Sequence, residues 1–378
     1  MFNLKIVDVK TTSLSCEMKG YSDNRYFAAE PFGGGRRYLS QRPLTITQLV
    51  TDDGIIGIGT HAHCVPPPLF EATVETLKNF VIGEDPFYVE RIWDKMFRLT
   101  FRFGRRGAVI GAMSSIDIAL WDIVGKALNT PLYKLLGAYC DMVPVYASGG
   151  YFREHNDVKN LAREVTDWVE RGYTAVKFKI GALGIEQDVE RVKAVREALG
   201  PDIKIIVDAN GGYPNPFTAM KVARALERYD VYWFEEPLQT DDIEGLAEIR
   251  RAVNIPIASG EIQFTRYGFK ELIVKRAVDI VEPDAGICGG VTEFRRIAAM
   301  AAAYDLPVAP HRSTEVSMHL AASIPNSLIV ESFPLETEMW DKLFLEPIEV
   351  KNGYIKLPRK PGLGIELNEK AIAKYEIP

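Results

Sequence analysis

Cysteine is scarce in this chain of 378 residues. The four cysteines are scattered and none belongs to a C-x-x-C pair: Cys16, Cys64, Cys140 and Cys288. This argues against a disulfide framework and fits a reducing compartment. The sequence also lacks an uninterrupted apolar run of about 18 residues, and its start, MFNLKIVDVK, lacks a basic region followed by an apolar stretch. We therefore expect a soluble, cytoplasmic protein.

An excess of positive charge is missing as well. The formal net charge is -6, and basic stretches such as Arg105-Arg106 are short and isolated. Because nucleic acids and anionic membranes attract basic surfaces, this balance gives no indication of either partner. An enzyme that acts on a small molecule is compatible with this charge balance.

The chain is too long for one usual hydrophobic core, so at least two domains are expected. Residues 1–130 begin with apolar runs, two of which meet at the hairpin signal Asp53-Gly54, and helical periodicity follows. This pattern predicts an α+β domain. A long polar insert near residues 16–38 and a second loop near 60–68 are expected to be binding loops.

A different rhythm begins near Val143. Eight short apolar runs are separated mostly by amphipathic helical stretches: VPVYAS, AVKFKI, IKIIVDA, VYWFEE, IPIASG, DIVEPD, LPVAPH and SLIVES. Such alternation is typical of parallel strands covered by helices, and the count favours a closed barrel over an open sheet. We predict a barrel over residues 140–332 and a C-terminal segment, 333–378, that packs back against the first domain.

Nearly every predicted strand ends in a side chain that can ionise or coordinate. Active sites of such barrels lie at the carboxyl ends of the strands. The residues at these ends are Ser148, Lys179, Asp208, Asn210, Glu235, Glu261, Asp284, His311 and Glu331. An acidic residue after a strand is also a common helix N-cap, so for any single carboxylate that alternative stays open.

Asp208, Glu235 and Glu261 follow three consecutive predicted strands. Adjacent strands lie about 4.8 Å apart, so carboxylates at equal height converge and repel one another unless a cation joins them. An all-oxygen set of ligands points to Mg²⁺, with Mn²⁺ as the alternative. The three residues are therefore the candidate metal ligands.

Lys177 and Lys179 are two residues apart on one predicted strand, so both side chains point to the same side, into the barrel. The alternative is that both extend outward to solvent. Inside the barrel, each lysine is expected to lower the pKa of the other and the nearby metal to lower the pKa of both, leaving one amine neutral near physiological pH. Lys179, nearer the strand end, is the candidate base, and Lys177 is the candidate ligand of a substrate carboxylate.

His311 and Asp284 end neighbouring predicted strands. A lone histidine is more often structural, but an adjacent carboxylate would orient the ring and raise its basicity. The pair is therefore a candidate catalytic dyad. Glu331 ends the eighth run and is expected to donate a hydrogen bond to the substrate if its surroundings keep it protonated.

As a set, these motifs resemble the enolase superfamily, mandelate racemase subgroup, over essentially the full chain. The segments that carry the resemblance are SSIDIALWDIVGKALNTPLYKLLG, AVKFKIG, VDAN, FEEP, SGE, EPDAGICGGVTE, APH and VES. The resemblance implies a modified (β/α)7β TIM barrel with an α+β N-terminal capping domain. It also implies a metal on Asp208, Glu235 and Glu261, with Lys179 facing the His311/Asp284 dyad across the substrate.

The resemblance further implies removal of the proton α to a carboxylate, with Mg²⁺, Lys177 and Glu331 stabilising the resulting dianion. In this subgroup the arrangement belongs to mandelate racemase and, more often, to acid-sugar dehydratases. Polar loop residues would suit a polyhydroxylated acid, although some could be ordinary solvated side chains. They are Tyr21, Arg25, Tyr26, Arg36, Arg37, His61 and His63.

We therefore expect a dehydratase that converts an aldonate or aldarate to its 2-keto-3-deoxy acid. The alternatives are a racemase or epimerase of a 2-hydroxy acid and a non-catalytic relative with a binding or structural role. Cycloisomerases are disfavoured because Asp284 stands where they carry a lysine. We expect an acid-sugar substrate and a homo-oligomer, with substrate contacts from Lys177, Asn210, Ser148, Glu331, Tyr26, Arg36, Arg37 and His61.

Overall fold

The structure, a computed structural model, describes residues 4–22, 38–62, 65–153, 158–334 and 342–377. Within these ranges, residues 16–22, 38–42, 62 and 153 are described by their backbone alone. Most of the predicted loop at 16–38 therefore lies outside the described residues. The same holds for part of the second predicted loop, at 63–64.

The N-terminal region contains an antiparallel sheet covered by helices. Its first strands are β1 (Ile6–Ser22), β2 (Tyr38–Thr51) and β3 (Ile56–Ala62), and the sheet order is β3-β2-β1-β5, where β5 is Phe152–Arg153. The hairpin predicted at Asp53-Gly54 is confirmed, with Gly54 at a φ of 87°. The helices are α1 (Pro67–Val81), α2 (Val89–Thr100), α3 (Ala108–Ala127) and α4 (Leu132–Leu135).

Helix α3 lies closely against β3. A Cβ atom on Gly59 would lie 1.9 Å from the Ser115 carbonyl oxygen, so only glycine permits this approach. By length and composition α3 could cross a membrane, but 89% of its apolar stretch is buried inside the protein. Burial on this scale is typical of a core helix.

The second region is a barrel of parallel strands. In sheet order they are β4 (Met142–Gly149), β6 (Ala175–Lys179), β7 (Lys204–Asp208), β8 (Val231–Glu235), β9 (Ile257–Ser259) and β10 (Ile280–Val281). The seventh run adds isolated bridges, including Val281 to Val308 and Asp284 to His311, rather than a continuous strand. Strand β11 (Val330–Ser332) pairs with β4 and closes the barrel, which confirms the predicted barrel.

Helices surround the barrel in the alternation predicted from the sequence. They are α5 (Val158–Glu170), α6 (Ile185–Leu199), α7 (Pro216–Leu226), α8 (Ile243–Ala252), α9 (Thr265–Val274), α10 (Gly290–Ala302) and α11 (Thr314–Ala321). Inside the barrel, Tyr146, Ile206 and Trp233 belong to a separate apolar cluster. Because side chains alternate along a strand, the residues two positions after these three lie on the same side, above the cluster. They are Ser148, Asp208 and Glu235.

The C-terminal segment contains β12 (Val350–Lys351), β13 (Tyr354–Lys356) and α12 (Glu369–Tyr375). It contacts both regions: β13 pairs with the start of β4, and the Leu363 N–H donates to Asp122 Oδ1 of α3 at 2.8 Å. These contacts agree with a segment that packs back on the first region. The exact division at residues 130, 140 and 333 stays a prediction.

A pH dependence of stability follows from His319. Its Nδ1 accepts the Tyr133 N–H at 3.2 Å, its Nε2–H donates to the Leu363 carbonyl at 3.0 Å, and burial lowers the pKa of the ring to about 4. An unfolded histidine titrates near 6.5, so between these values the unfolded state binds more protons. We expect this residue to cost the folded state roughly 3 kcal/mol as the pH falls from about 6.5 to about 4.

The measurement is urea unfolding across this pH range for the wild type and His319→Gln. Glutamine keeps a donor for the Leu363 carbonyl but does not titrate. The variant should therefore show a flatter dependence of the free energy of unfolding on pH. Identical slopes in the two proteins would show that His319 does not set the acid sensitivity.

Candidate functional site

Three acidic side chains converge at the carboxyl end of the barrel. Asp208 ends β7 and is in register with Glu235, which ends β8, and Glu261 follows β9 by two residues. One carboxylate oxygen from each lies within 4.8 Å of the others, and all three residues are buried. The convergence expected from the sequence is confirmed. Their role as metal ligands stays a prediction.

The chemistry of this cluster fits a hard divalent cation. Burial raises the pKa of Glu235 to about 7, and the Asp208 carboxylate adds to the shift although Lys177 opposes it. Fixed donors hold the carboxylates in place: the Asn210 N–H donates to Asp208 Oδ1 at 2.8 Å, and Trp233 Nε1 donates to Glu235 Oε2 at 3.1 Å. Three oriented carboxylates without nitrogen or sulfur ligands suit Mg²⁺ or Mn²⁺.

Both lysines of β6 point into the barrel, as predicted. Lys177 Nζ lies 2.5 Å from Glu235 Oε1 and 2.8 Å from Glu331 Oε1, and Lys179 forms an ion pair with Asp208. Each ammonium group is therefore held by carboxylates inside the barrel. The alternative in which both lysines extend outward to solvent is excluded.

The repulsion between the lysines does not by itself lower their pKa values; the expected lowering, which also involved a bound metal, stays a prediction. Burial lowers the pKa of Lys177, but Glu235 and Glu331 outweigh burial and raise it well above its ordinary value. Burial likewise lowers the pKa of Lys179, and the Asp208 carboxylate outweighs it. The repulsion between the lysines is smaller than their attraction to the surrounding carboxylates.

His311 and Asp284 form the predicted pair. Nδ1 of His311 lies 2.8 Å from Asp284 Oδ2, and its Nε2 lies 3.1 Å from Glu261 Oε2. Burial lowers the pKa of His311, but the Glu261, Glu331 and Asp284 carboxylates raise it to about 8. In strand order, the three convergent carboxylates lie between Lys179 and this pair. In strand order, the site thus has an amine on one side and an imidazole on the other side of an acidic centre.

The protonation state of Glu331 depends on the charges around it. Burial raises its pKa, but Lys177 and His311 outweigh burial and lower the pKa below its ordinary value. Its Oε2 accepts the Arg312 N–H at 2.9 Å. These charges favour an ionised Glu331 that accepts from Lys177, so the chain's own charges do not meet the condition for a protonated hydrogen-bond donor.

The other predicted contacts fall into three groups. Ser148 is buried at the end of β4 in register with Lys177, and Asn210 Nδ2 donates to Glu261 Oε1 at 3.4 Å, so both lie beside the charged cluster. His61 is buried, with its Nδ1 2.9 Å from the Gly286 carbonyl oxygen. The remaining loop residues lie outside the described side chains: Tyr21, Arg25, Tyr26, Arg36, Arg37 and His63.

Two buried residues of the site were missed in the sequence. Burial and the Glu235 charge raise the pKa of Glu282 well above its ordinary value, which favours a protonated carboxyl that hydrogen-bonds Glu235. The ring of Tyr146 lies below Lys177, with Nζ 5.4 Å from its centroid. Each lies two residues before a predicted site residue, Asp284 or Ser148, so strand alternation would have found both.

Two parts of this chain match known protein families. Residues 160–371 match "Enolase C-terminal domain-like", and residues 21–137 match "Mandelate racemase / muconate lactonizing enzyme, N-terminal domain". The chain belongs to the mandelate racemase subgroup of the enolase superfamily. Its parallel sheet is the modified (β/α)7β barrel of this superfamily, and the antiparallel sheet with its helices is the α+β capping domain.

Relatives within the superfamily have different named activities. The chain is 38% identical to an arabinonate dehydratase of Saccharolobus solfataricus over 98% of this chain and 99% of the relative. It is 33% identical to a D-galactarolactone cycloisomerase of Agrobacterium fabrum, over 92% and 95% respectively. A racemase from Streptomyces coelicolor, solved with bound magnesium, superposes with a TM-score of 0.90 at 30% identity, over 98% of this chain and 100% of that one.

Proposed function

We propose that this enolase-superfamily member is a Mg²⁺-dependent dehydratase of an acid sugar, an aldonate or aldarate, that forms a 2-keto-3-deoxy acid. The observation that carries the proposal is the placement of Lys179 and the His311/Asp284 pair on different sides of three convergent carboxylates. The similarity to an arabinonate dehydratase supports dehydration as the outcome.

Asp208, Glu235 and Glu261 would hold the Mg²⁺. When bound, the ion supplies positive charge that offsets the carboxylates around Lys179 and stabilises the doubly charged carboxylate of a deprotonated substrate. The magnesium bound by the Streptomyces coelicolor racemase supports this assignment. Mn²⁺ has the same ligand preferences.

Two side chains of the protein would then carry out separate steps of the reaction. Lys179 takes the proton from the α-carbon, and the electron pair of that C–H bond is delocalised onto the substrate carboxylate. His311, whose pKa is raised to about 8, gives its proton to the β-hydroxyl; the electron pair then forms the double bond between the α- and β-carbons as the C–O bond breaks and water leaves. The enol that remains takes a proton at the β-carbon, gives up the proton of its α-hydroxyl and becomes the 2-keto-3-deoxy acid.

Lys177 would support this chemistry without transferring a proton. Its ammonium group is held between Glu235 and Glu331, and its raised pKa keeps it charged. A fixed positive charge aimed at a substrate carboxylate stabilises the negative charge that develops there when the α-proton leaves. Ser148, in register with Lys177, and Asn210, which donates to Glu261, would contact the substrate. Tyr26, Arg36 and Arg37 stay predicted contacts.

Isomerisation is the second candidate function. The first proton transfer is the same, but reprotonation of the α-carbon by His311 would invert it without loss of water. The Streptomyces coelicolor racemase supports this outcome, and the Agrobacterium fabrum cycloisomerase shows that a relative 33% identical to this chain bears another isomerase name. A catalytically silent relative would instead bind without turnover.

The test is incubation of the protein and Mg²⁺ with a panel of aldonates and aldarates, followed by semicarbazide detection of 2-keto acids. We expect a 2-keto product from at least one acid, its loss after treatment with EDTA and its return on addition of Mg²⁺. Epimerised acid without a 2-keto product would support the isomerase. An absence of both, with every acid tested, would contradict the proposed function.

Isothermal titration with Mg²⁺ tests the metal site separately from turnover. Glu261→Gln removes one of the three charges, and we expect its Mg²⁺ affinity to fall by about 10-fold or more, since ligand charge sets the affinity of such sites. Glu244→Gln, which changes an exposed glutamate on α8, is the matched control. Equal Mg²⁺ binding by the two variants would contradict the assignment of Glu261 as a ligand.

A further inference from the structure

His61 lies at the contact between the capping domain and the barrel. Its ring is 2% exposed and stacks on Phe70 of α1, with ring centroids 4.4 Å apart and an interplanar angle of 15°. Its Nδ1 lies 2.9 Å from the carbonyl oxygen of Gly286. Because a carbonyl oxygen only accepts hydrogen bonds, Nδ1 carries a proton and donates it.

Gly286 belongs to the turn that begins at Asp284. The Gly286 N–H donates to Asp284 Oδ1 at 2.7 Å, and the N–H of Cys288 donates to the Asp284 carbonyl at 2.7 Å. The other carboxylate oxygen of Asp284 lies 2.8 Å from Nδ1 of His311. A continuous series of hydrogen bonds therefore joins His61 of the capping domain to His311 of the barrel.

The surroundings leave the His61 ring little freedom. A Cβ atom on Gly111 of α3 would lie 2.9 Å from Cε1 of His61, so the helix backbone lies directly against the ring. Beside it, Thr60 Oγ1 donates to Glu315 Oε1 of α11 at 2.6 Å. The ring is held between α1 and α3 on one side and the 284–286 turn on the other.

We propose that His61 is a positioning residue that holds the 284–286 turn, so that Asp284 keeps His311 aligned for protonation of the leaving hydroxyl. This inference rests on the proposed function. In this role, His61 links the capping domain to the His311/Asp284 dyad and does not contact the substrate directly. The position of the capping domain is thereby coupled to the protonation step.

The competing role for His61 is a ligand contact through Nε2. Among the described residues this buried atom has no hydrogen-bond partner, and His61 lines a cavity of about 160 Å³ with Leu69, Phe264 and Ile287. Substitutions of His61 can distinguish the roles of the two ring nitrogens. The amide nitrogen of asparagine can replace Nδ1, whereas that of glutamine reaches the position of Nε2.

The experiment compares His61→Leu, His61→Asn and His61→Gln with arabinonate and with any other panel acid that gives a 2-keto product. We expect kcat for water loss to fall about 10- to 100-fold in the leucine and glutamine variants, since small misalignments have effects of this size. KM and the exchange of the α-hydrogen with deuterated solvent should change less than about 2-fold, well under that misalignment effect. The asparagine variant should recover most of the activity.

Thr60→Val is the matched control, because it removes the neighbouring hydrogen bond to Glu315 but leaves His61 and its Gly286 contact. The control should keep the wild-type ratio of water loss to exchange. An unchanged kcat in His61→Leu would overturn the proposal. A raised KM in His61→Asn together with retained activity in His61→Gln would also overturn the proposal, since that result assigns the role to Nε2. An equal loss of kcat in Thr60→Val would overturn it as well.

A readout without substrate separates this inference from the proposed function. In protein labelled with ¹⁵N-histidine, the His311 Nδ1 proton that bonds Asp284 should give a slowly exchanging NMR signal. This signal should persist in His61→Asn and Thr60→Val but exchange at least about 10-fold faster in His61→Leu, as expected for a lost alignment. An unaltered signal in His61→Leu would refute the link even if no panel acid were dehydrated.

Discussion

Replacing Lys179 by methionine should reduce exchange of the α-hydrogen with deuterated solvent by about 10³-fold or more, because a positioned base contributes about 10²–10⁴-fold. The substrate must be an acid sugar whose α-hydrogen faces the lysine. Methionine fills a similar volume in the barrel without an amine. The measurement is the loss of the α-hydrogen signal in D₂O by proton NMR.

One further variant sharpens this result. Lys179→Arg keeps a positive charge beside Asp208, but arginine does not lose its proton near neutral pH and cannot act as the base. We expect it to be as inactive in exchange as Lys179→Met. Exchange that is retained in Lys179→Arg but lost in Lys179→Met would assign the residue a purely electrostatic role. Exchange that is retained in Lys179→Met would move the base to His311.

Replacing His311 by asparagine should reduce water loss by about 10²–10⁴-fold while α-hydrogen exchange continues, since a general acid contributes this much. The physical reason is that Lys179 and His311 lie on different sides of the carboxylates, so the first proton transfer does not need the imidazole. The asparagine amide can still donate to Asp284 in place of Nδ1. Semicarbazide detection of the 2-keto acid measures the water loss.

Asp284→Asn is the companion variant. It leaves the His311 ring in place but removes the charge that orients it at 2.8 Å, so we expect a smaller loss than in His311→Asn. Thermal unfolding followed by circular dichroism should show that both variants fold. Dehydration at the wild-type rate in His311→Asn would show that another group protonates the leaving hydroxyl.

The acidic centre could be predicted because it depends on strand periodicity and strand order. Asp208, Glu235 and Glu261 end consecutive strands, and in a parallel barrel consecutive strands end side by side. The two-residue spacing of Lys177 and Lys179 fixed their common direction in the same way. Glu282 and Tyr146 obey the same rule and were missed only because the rule was applied to strand ends alone.

Protonation states could be predicted only in part because they depend on distances between groups from different strands. Mutual repulsion and a bound metal were expected to lower the lysine pKa values, yet Glu235, Glu331 and Asp208 pair with the ammonium groups and raise these pKa values. Glu331 was expected to donate a hydrogen bond only if its surroundings kept it protonated, yet Lys177 at 2.8 Å favours its ionised form. The order of residue types in the sequence does not give the distances between these ionised groups.

For this protein, the order of apolar runs and the residues at their ends sufficed to predict the barrel, the convergent carboxylates and the His311/Asp284 pair. Periodicity and chain order determine those features locally. Only the tertiary structure decided which ionised groups lie within about 3 Å of each other, that the seventh run contributes bridges, and that His61 donates to Gly286. Electrostatic energies and hydrogen bonds depend on short distances across the fold, which sequence spacing does not contain.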